Sequence, residues 1–242
     1  MLSDTAGPAL DFDFGLFGRL RRDAATEWRS YIAHPFVKAL GRGTLPQPWF
    51  QNFLIQDYLY LIQYARGYAL AAYKSESLAE LVSANRTMTA LLDVEMPLHV
   101  SYCRDWGISQ AELEGAAPDL RMTAYANFFL ERGASGDRLD LEIALAPCLM
   151  GYAEIAELIL ADPETVLEGN PYEPWISSYS GAEYRATVAQ SIIDLDAFGQ
   201  RRGADARYAS LLQTFRTASA LEAQFWEIGW QHGTDESAGS KA

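Results

Sequence analysis

Cys148 is the residue of this chain best suited to nucleophilic chemistry, because thiolates are intrinsically good nucleophiles. It follows Pro147 in an apolar run, Leu145-Ala146-Pro147-Cys148-Leu149, whose composition is typical of a helix. A proline in a helix interior removes a backbone donor, at a cost of about 3 kcal/mol, so we expect the thiol at a kink. Most cysteines outside disulfides are small buried hydrophobes. The segment alone favours plain packing, and the argument for chemistry depends on what else faces the core.

Acidic residues interrupt the apolar stripes of three different predicted helices. Asp57 lies in the middle of one stripe, Glu222 in the middle of another, and Glu95 in a third. Burying an unpaired carboxylate costs several kcal/mol, so such residues are rarely left without a partner. One buried acid fits a structural cap or salt bridge equally well, whereas three predict a polar cavity in a helical bundle, where such folds place ligands. Four tyrosines are candidates to line it, although each alone also fits plain packing: Tyr60, Tyr125, Tyr152 and Tyr179.

The histidines predict no metal centre. Glu95 and His99 stand four apart, whereas carboxylate di-iron bundles use Glu-x-x-His, three apart and twice. We therefore predict that a Glu95–His99 hydrogen bond orders the core. A haem with His34 as axial ligand is disfavoured, because His34-Pro35 lies at a helix end and no basic cluster accompanies it.

Long helices must position these side chains, and helical periodicity runs almost from end to end. Helices are predicted over 12–33, 47–73, 77–106, 118–132, 137–161, 180–202 and 205–231, with shorter turns near 35–41, 109–114 and 172–177. Strand-like alternation between hairpin turns is absent from the sequence. The prediction is a single all-α domain over residues 11–232, a multi-helix bundle, with disordered ends at 1–10 and 233–242.

The composition narrows the function classes. The 242 residues carry a formal net charge of −13, which argues against nucleic acid because phosphate binding needs clustered Lys and Arg. No stretch approaches the roughly 20 uninterrupted apolar residues needed to span a bilayer, and the N-terminus lacks a signal-peptide pattern. Two cysteines predict a reduced, cytoplasmic setting, and the aromatic content of 12% suggests oligomerisation.

Eight short motifs follow one another along the chain: His34-Pro35-Phe36-Val37; Gly43-Thr44-Leu45-Pro46; Gln56-Asp57 with Tyr60; Glu95-Met96 with Leu98-His99; Thr123-Ala124-Tyr125; Pro147-Cys148 with Tyr152; Trp175-Ile176 with Tyr179; and Glu222 before Gln224-Phe225-Trp226. In this order, over residues 20–232, they resemble the motifs of the TenA (thiaminase II) family. The resemblance implies a haem-oxygenase-like bundle, a homotetramer, and no cofactor or metal. Pro147-Cys148 resembles the members that carry an active-site cysteine.

The resemblance also implies an activity, the hydrolysis of 4-amino-5-aminomethyl-2-methylpyrimidine, a thiamin breakdown product, to hydroxymethylpyrimidine for thiamin salvage. Many members also cleave thiamin. Cys148 would add to the pyrimidine ring and Glu222 would move the protons. Asp57 would orient the substrate by accepting hydrogen bonds. Tyr125 and Tyr179 would flank the ring or hydrogen-bond to it, and Tyr60 and Tyr152 would position Cys148 and Glu222.

The sequence leaves the substrate and two alternative functions open. Leu149-Met150-Gly151 stands where bulkier aromatics are expected in the family, so the pocket is roomier or reshaped and the pyrimidine substrate is undecided. A non-catalytic ligand-binding or regulatory protein fits the same fold, as does, with less support, a haem or di-metal oxidoreductase.

Overall fold

Every regular element that the computed structural model describes, over residues 7–239, is a helix. The elements are α1 (Gly15–Asp23), α2 (Ala25–Ile32), α3 (Pro35–Gly41), α4 (Gln47–Tyr73), α5 (Leu78–Ala90), a π-helical turn (Leu91–Glu95), α6 (Met96–Asp105), α7 (Gln110–Gly115), α8 (Leu120–Ser135), α9 (Arg138–Ala161), α10 (Glu173–Ser180), α11 (Ala182–Arg201), a 3-10 turn (Ala204–Arg207) and α12 (Tyr208–Gly239). The all-α prediction is confirmed.

The helix starts follow ordinary capping chemistry. The hydroxyls of Ser77 and Ser109 accept hydrogen bonds from backbone N–H groups in the first turns of α5 and α7. Asp119 does the same for α8, and the His34 ring caps α3 by accepting from the N–H of Phe36. Side-chain caps of this kind satisfy backbone donors that have no partner inside the helix.

The observed helices depart from the predicted ones most clearly at three places. The helix predicted over 12–33 is divided at Ala24, whose φ of −104° and ψ of 25° interrupt it. The helix over 77–106 contains the π-helical turn Leu91–Glu95. Both breaks leave the apolar periodicity nearly intact, so the sequence pattern does not show them. Helix α12 continues to Gly239, past the expected start of the tail at residue 233; residues 1–6 and 240–242 lie outside the described residues.

The helices group into two compact units. The first unit comprises Met1–Leu45 and Ala146–Ala223, and the second comprises Pro46–Leu145 and Gln224–Ala242. In the first unit α1 packs against α2 and α11; in the second, α4 packs against α5, α6 and α8. Each unit has its own aromatic core, around Phe17, Trp28 and Phe215 in the first and around Phe53 and Trp226 in the second.

Helix α9 is long and apolar enough to cross a bilayer on length and composition alone, but most of it is buried within the protein. A core helix that is apolar on all sides is expected to be enclosed by other elements. The segment from 143 to 153, which contains no charged residue, is its most apolar part.

Candidate active site

Cys148 and its neighbour Leu149 are partly exposed on a mostly buried stretch of helix α9. Pro147 lies inside this helix, as the sequence predicts, and Cys148 retains intermediate exposure. The chain's other cysteine, Cys103, is fully buried, and its burial raises the pKa of the thiol to about 12. Because the thiolate is the reactive form, Cys148 is the better placed of the two for nucleophilic chemistry.

The absence of a side chain at Gly151, one turn after Cys148, does not leave open space. A Cβ atom added there would lie 2.2 Å from Cε1 of Tyr31 and 2.7 Å from its hydroxyl. The fully buried Tyr31 ring therefore occupies this space. Gly151 therefore adds no open space one turn after Cys148.

Three aromatic rings of the first unit meet beside α9. Tyr152 and Tyr179 have ring centroids 4.8 Å apart, and Trp175 lies 5.7 Å from Tyr152 and 4.7 Å from Tyr179. Two of the predicted substrate-binding tyrosines are thus neighbours. The sequence marks Trp175 only as part of a motif, but its position four residues before Tyr179 places both on the same face of α10.

Glu222 is a buried acid of the first unit, as its place in an apolar stripe predicts. It is 2% exposed on helix α12. One turn earlier Ser219 is fully buried and donates its hydroxyl to the carbonyl of Phe215.

Asp57 is the corresponding buried acid of the second unit. Asp57 is 5% exposed on helix α4, and burial raises the pKa of its carboxyl group to about 7. Oδ2 lies 3.6 Å from Nδ1 of His99, too far for a hydrogen bond. The carboxyl group of Asp57 therefore gains or loses its proton near neutral pH.

The hydrogen bond of His99 to helix α4 defines how its ring faces Asp57. Nε2 lies 2.9 Å from the carbonyl oxygen of Leu54; since a carbonyl only accepts, Nε2 carries the proton. Burial lowers the pKa of His99, so its neutral form points an unprotonated Nδ1 at Asp57. The sequence prediction of a Glu95–His99 hydrogen bond is wrong, because the ring is bonded to α4 instead.

Glu95 adds a second titrating carboxyl group to this cluster. It is the last residue of the π-helical turn, a geometry frequent at functional sites, and it is partly buried. Burial, and then the charge of Asp57, raise its pKa to about 7. In the second unit, burial thus favours the neutral forms of Asp57, Glu95 and His99.

Tyr60 and Tyr125, the two predicted site tyrosines of the second unit, stack on each other. Their ring centroids lie 5.2 Å apart at an interplanar angle of 23°. Phe225 of α12 packs against Tyr60 at 5.4 Å, and Phe129 lies 6.0 Å from it. The sequence did not predict the role of Phe225, although its position three residues after Glu222 places both on one face of α12.

Among the side chains that the structure describes, those of residues 7–230, no group of three or more His, Cys, Asp or Glu has the arrangement of a metal site. The ring of His34, considered above as a haem ligand, caps helix α3 through Nδ1.

Comparison with known proteins identifies the family. The model of the TENA/THI-4/PQQC family matches residues 21–232. The chain belongs to this family. An aminopyrimidine aminohydrolase of Halalkalibacterium halodurans is 36% identical over 205 residues, 84% of this chain and 90% of that protein. The aminopyrimidine aminohydrolase of Helicobacter pylori is 33% identical over 212 residues, 88% of this chain and 97% of that protein.

Solved structures of TenA relatives share the fold. A TenA family transcription regulator from Silicibacter sp. TM1040 superposes with a TM-score of 0.82 at 40% identity, covering 94% of this chain and 99% of that one. A protein with a heme oxygenase-like fold from Shewanella denitrificans superposes with a TM-score of 0.71 at 14% identity, covering 92% and 95%. The predicted haem-oxygenase-like fold is confirmed.

Proposed function

We propose that this TenA-family chain is a cysteine-dependent aminopyrimidine hydrolase that releases hydroxymethylpyrimidine for thiamin salvage. The observation that carries the proposal is the partly exposed Cys148 thiol beside Pro147 in the buried helix α9. The relatives named aminopyrimidine aminohydrolases support the same substrate class. In this proposal Pro147-Cys148 is the active-site motif of the cysteine class of the family.

The proposed reaction begins when the Cys148 thiolate adds to a ring carbon of the pyrimidine, forming a carbon–sulfur bond. The electron pair displaced into the ring then expels the exocyclic amine, and Glu222 gives that amine a proton so that ammonia departs. Glu222, now a carboxylate, takes a proton from water as the hydroxyl adds to the exocyclic carbon. Loss of the thiolate restores the aromatic ring and the enzyme. With thiamin, the leaving group is the thiazole.

Asp57 is suited to hold the aminopyrimidine edge of such a substrate. That edge offers an amino donor beside a ring-nitrogen acceptor. A protonated carboxyl group matches both, because its hydroxyl donates to the ring nitrogen and its carbonyl accepts from the amino group. The pKa of about 7 lets Asp57 carry the required proton at neutral pH, and two such hydrogen bonds orient the ring.

The tyrosines supply flat apolar faces with hydroxyl groups. In this proposal Tyr125 and Tyr179 flank the pyrimidine or hydrogen-bond to it, while Tyr60 and Tyr152 position Glu222 and Cys148. Support comes from their pairing within each unit, Tyr60 with Tyr125 and Tyr152 with Tyr179. Aromatic neighbours at these distances restrict one another's rotation, which preorganises a site for a planar ligand.

The direct test compares wild type with Cys148→Ala and Glu222→Gln on the aminomethyl pyrimidine and on thiamin, with circular dichroism as the folding control. Both variants should lose release of hydroxymethylpyrimidine by at least about 10³-fold and keep the wild-type helix content. Cys103→Ala is the matched control and should retain turnover, because Cys103 is buried and its pKa is raised to about 12. Wild-type turnover in both Cys148→Ala and Glu222→Gln would refute the mechanism.

A second candidate function is ligand-dependent regulation, favoured by the 40%-identical relative named a transcription regulator. Under it, the pyrimidine binds without turnover and Cys148 shows no enhanced rate of alkylation. Isothermal titration calorimetry beside the turnover assay separates the two candidates, because only the hydrolase consumes its ligand.

The family resemblance extends the proposal to a cytoplasmic homotetramer. Large apolar side chains lie exposed along α5, the π-helical turn and α6, among them Leu78 at 75%, Leu98 at 65% and Val94 at 57%. Exposed apolar patches of this kind mark interaction surfaces. Multi-angle light scattering should give four times the chain mass of 26.9 kDa, and a monomeric mass would exclude the tetramer.

A further inference from the structure

Two tyrosine hydroxyls reach the backbone of helix α9 on either side of Cys148. The hydroxyl of Tyr31, on α2, donates to the carbonyl of Pro147 at 3.4 Å. The hydroxyl of Tyr184, on α11, donates to the carbonyl of Leu149 at 2.8 Å. The carbonyls of the residues immediately before and after Cys148 are thus each held from a different helix.

Pro147 explains why this segment needs additional restraint. Having no N–H, it cannot donate to the carbonyl of Ile143, so the helix lacks one of its own hydrogen bonds there. Freed backbone groups at such a break are commonly satisfied by side chains or water, and the local geometry becomes adjustable. Hydrogen bonds from α2 and α11 compensate by restraining the backbone that carries the thiol.

The Tyr31 contact depends on the absence of a side chain at Gly151. The ring crosses the bare backbone there, since any Cβ would lie 2.2 Å from Cε1. The ring is fully buried, and its centroid lies 5.6 Å from that of Trp28 and 6.5 Å from that of Tyr152. The ring is thus packed between neighbours, with its hydroxyl beside the carbonyl of Pro147.

We propose that Tyr31 and Tyr184 are positioning residues for the nucleophile: their hydroxyls hold the carbonyls of Pro147 and Leu149 and thereby fix the direction in which the Cys148 thiol projects. The inference rests on the proposed function for its catalytic consequence, but the placement of the thiol can be measured without any substrate. Displacement of a reacting group by about 1 Å costs on the order of 10²-fold in rate.

The test removes each hydroxyl while keeping the ring, in Tyr31→Phe, Tyr184→Phe and the double variant. Tyr172→Phe is the matched control, because the buried Tyr172 also donates its hydroxyl to a backbone carbonyl of the first unit, that of Leu45. The change that Tyr172→Phe makes in the midpoint of thermal unfolding measures how much the loss of such a hydrogen bond, away from Cys148, lowers stability.

The first readout is the rate of Cys148 alkylation by iodoacetamide from pH 6 to 10, followed by intact mass. Fully buried Cys103 should not react on this timescale, so the signal reports Cys148. The double variant should show an alkylation rate changed by about fivefold or more and a displaced pH midpoint, while Tyr172→Phe follows wild type. An alkylation profile in the double variant that matches Tyr172→Phe would overturn the proposal.

The second readout separates positioning from binding. With the aminomethyl pyrimidine, the double variant should lose about tenfold or more in kcat with KM within about twofold, since a misdirected nucleophile impairs the chemical step. If wild type shows no turnover but the alkylation profiles differ as described, the proposed function fails and the positioning stands. If wild type turns over the substrate but the double variant has wild-type kcat and a wild-type alkylation profile, the proposed function stands and the positioning role fails.

Gly151→Ala approaches the same contact from the other side. The added methyl group must displace the Tyr31 ring, so this variant should reproduce the altered alkylation of the double variant. Shortening the ring partner in Gly151→Ala/Tyr31→Leu makes room for the methyl group and should raise the midpoint of thermal unfolding above that of Gly151→Ala alone. Wild-type alkylation and stability in Gly151→Ala would overturn the assignment of Tyr31.

Discussion

Replacement of Asp57 by asparagine tests the electrostatics of the second unit. The amide side chain keeps the size and shape of the carboxyl group but cannot ionise. The wild-type carboxyl is 5% exposed, and burial raises its pKa from an ordinary value of 3.8 to about 7. The folded chain therefore holds a proton on Asp57 that the unfolded chain releases at lower pH.

The sign of the effect follows from proton linkage. Between pH 4 and 7 the folded state binds more protons than the unfolded state, so this group makes stability fall as the pH rises through that range. At 1.36 kcal/mol per pKa unit, the full loss above pH 7 is about 4 kcal/mol. Wild type loses this contribution as the pH rises and the variant does not. The unfolding free energy of Asp57→Asn minus that of wild type should therefore increase by about 2 to 3 kcal/mol from pH 5 to pH 8.

Urea unfolding at pH 5, 6, 7 and 8 measures this difference directly. Asp105→Asn serves as control, because the side chain of Asp105 is 67% exposed and its replacement should alter stability by less than about 0.5 kcal/mol at each pH. Because the charge of Asp57 also raises the pKa of Glu95, the variant relieves both acids together. A wild-type–variant difference that stays constant from pH 5 to 8 would refute the placement of a protonated Asp57 in the folded protein.

Replacing other ionisable residues should also change the stability of the folded chain in predictable ways. The unfolding free energy of His99→Gln relative to wild type should rise as the pH falls below 6.5, since burial lowers the pKa of His99 and only wild type loses stability as the unfolded chain takes up that proton; urea unfolding at pH 5 and 7 measures this difference. Glu154→Gln should cost about 2 to 4 kcal/mol of unfolding free energy, because the buried Glu154 carboxylate accepts from both Arg21 and Trp28. Asp205→Asn, which breaks an exposed pair with Arg19, should cost no more than about 1 kcal/mol in the same assay.

The sequence predicted the long helices well because their signals are local. Helix α4 begins at Gln47 and ends at Tyr73, as predicted, since Pro46 and Pro48 define its start and its apolar stripe continues on both sides of Asp57. The π-helical turn at Leu91–Glu95 was not predicted, because one extra residue per turn barely alters a pattern of apolar spacing. Helix α12 also extends beyond its predicted end, where the sequence turns polar.

Burial of the site acids was predictable, whereas their partners were not. Asp57 and Glu222 are buried, as their positions in apolar stripes required. The contact between Asp57 and His99 depends on how α4 and α6 pack, and sequence spacing carries information only within one helix. For the same reason spacing wrongly paired His99 with Glu95, although the ring donates to the carbonyl of Leu54 on another helix. No sequence signal points to Tyr31, because only the structure shows its ring against Gly151.

The two cysteines show why residue type alone could not identify the nucleophile. Both lie on apolar stripes, and both follow the ordinary tendency of cysteine to be buried. Cys103 is fully enclosed, and the charge of Asp57 adds to the burial that raises the pKa of its thiol to about 12. Cys148 instead follows a helix-breaking proline, keeps part of its surface exposed, and is flanked by carbonyls that Tyr31 and Tyr184 hold. The sequence offers no histidine as an evident base for this thiol. In the proposed mechanism the reactivity of Cys148 therefore depends on Glu222 and on the restrained backbone at Pro147. The Tyr31 and Tyr184 variants perturb that backbone without altering any group that the mechanism places against the substrate.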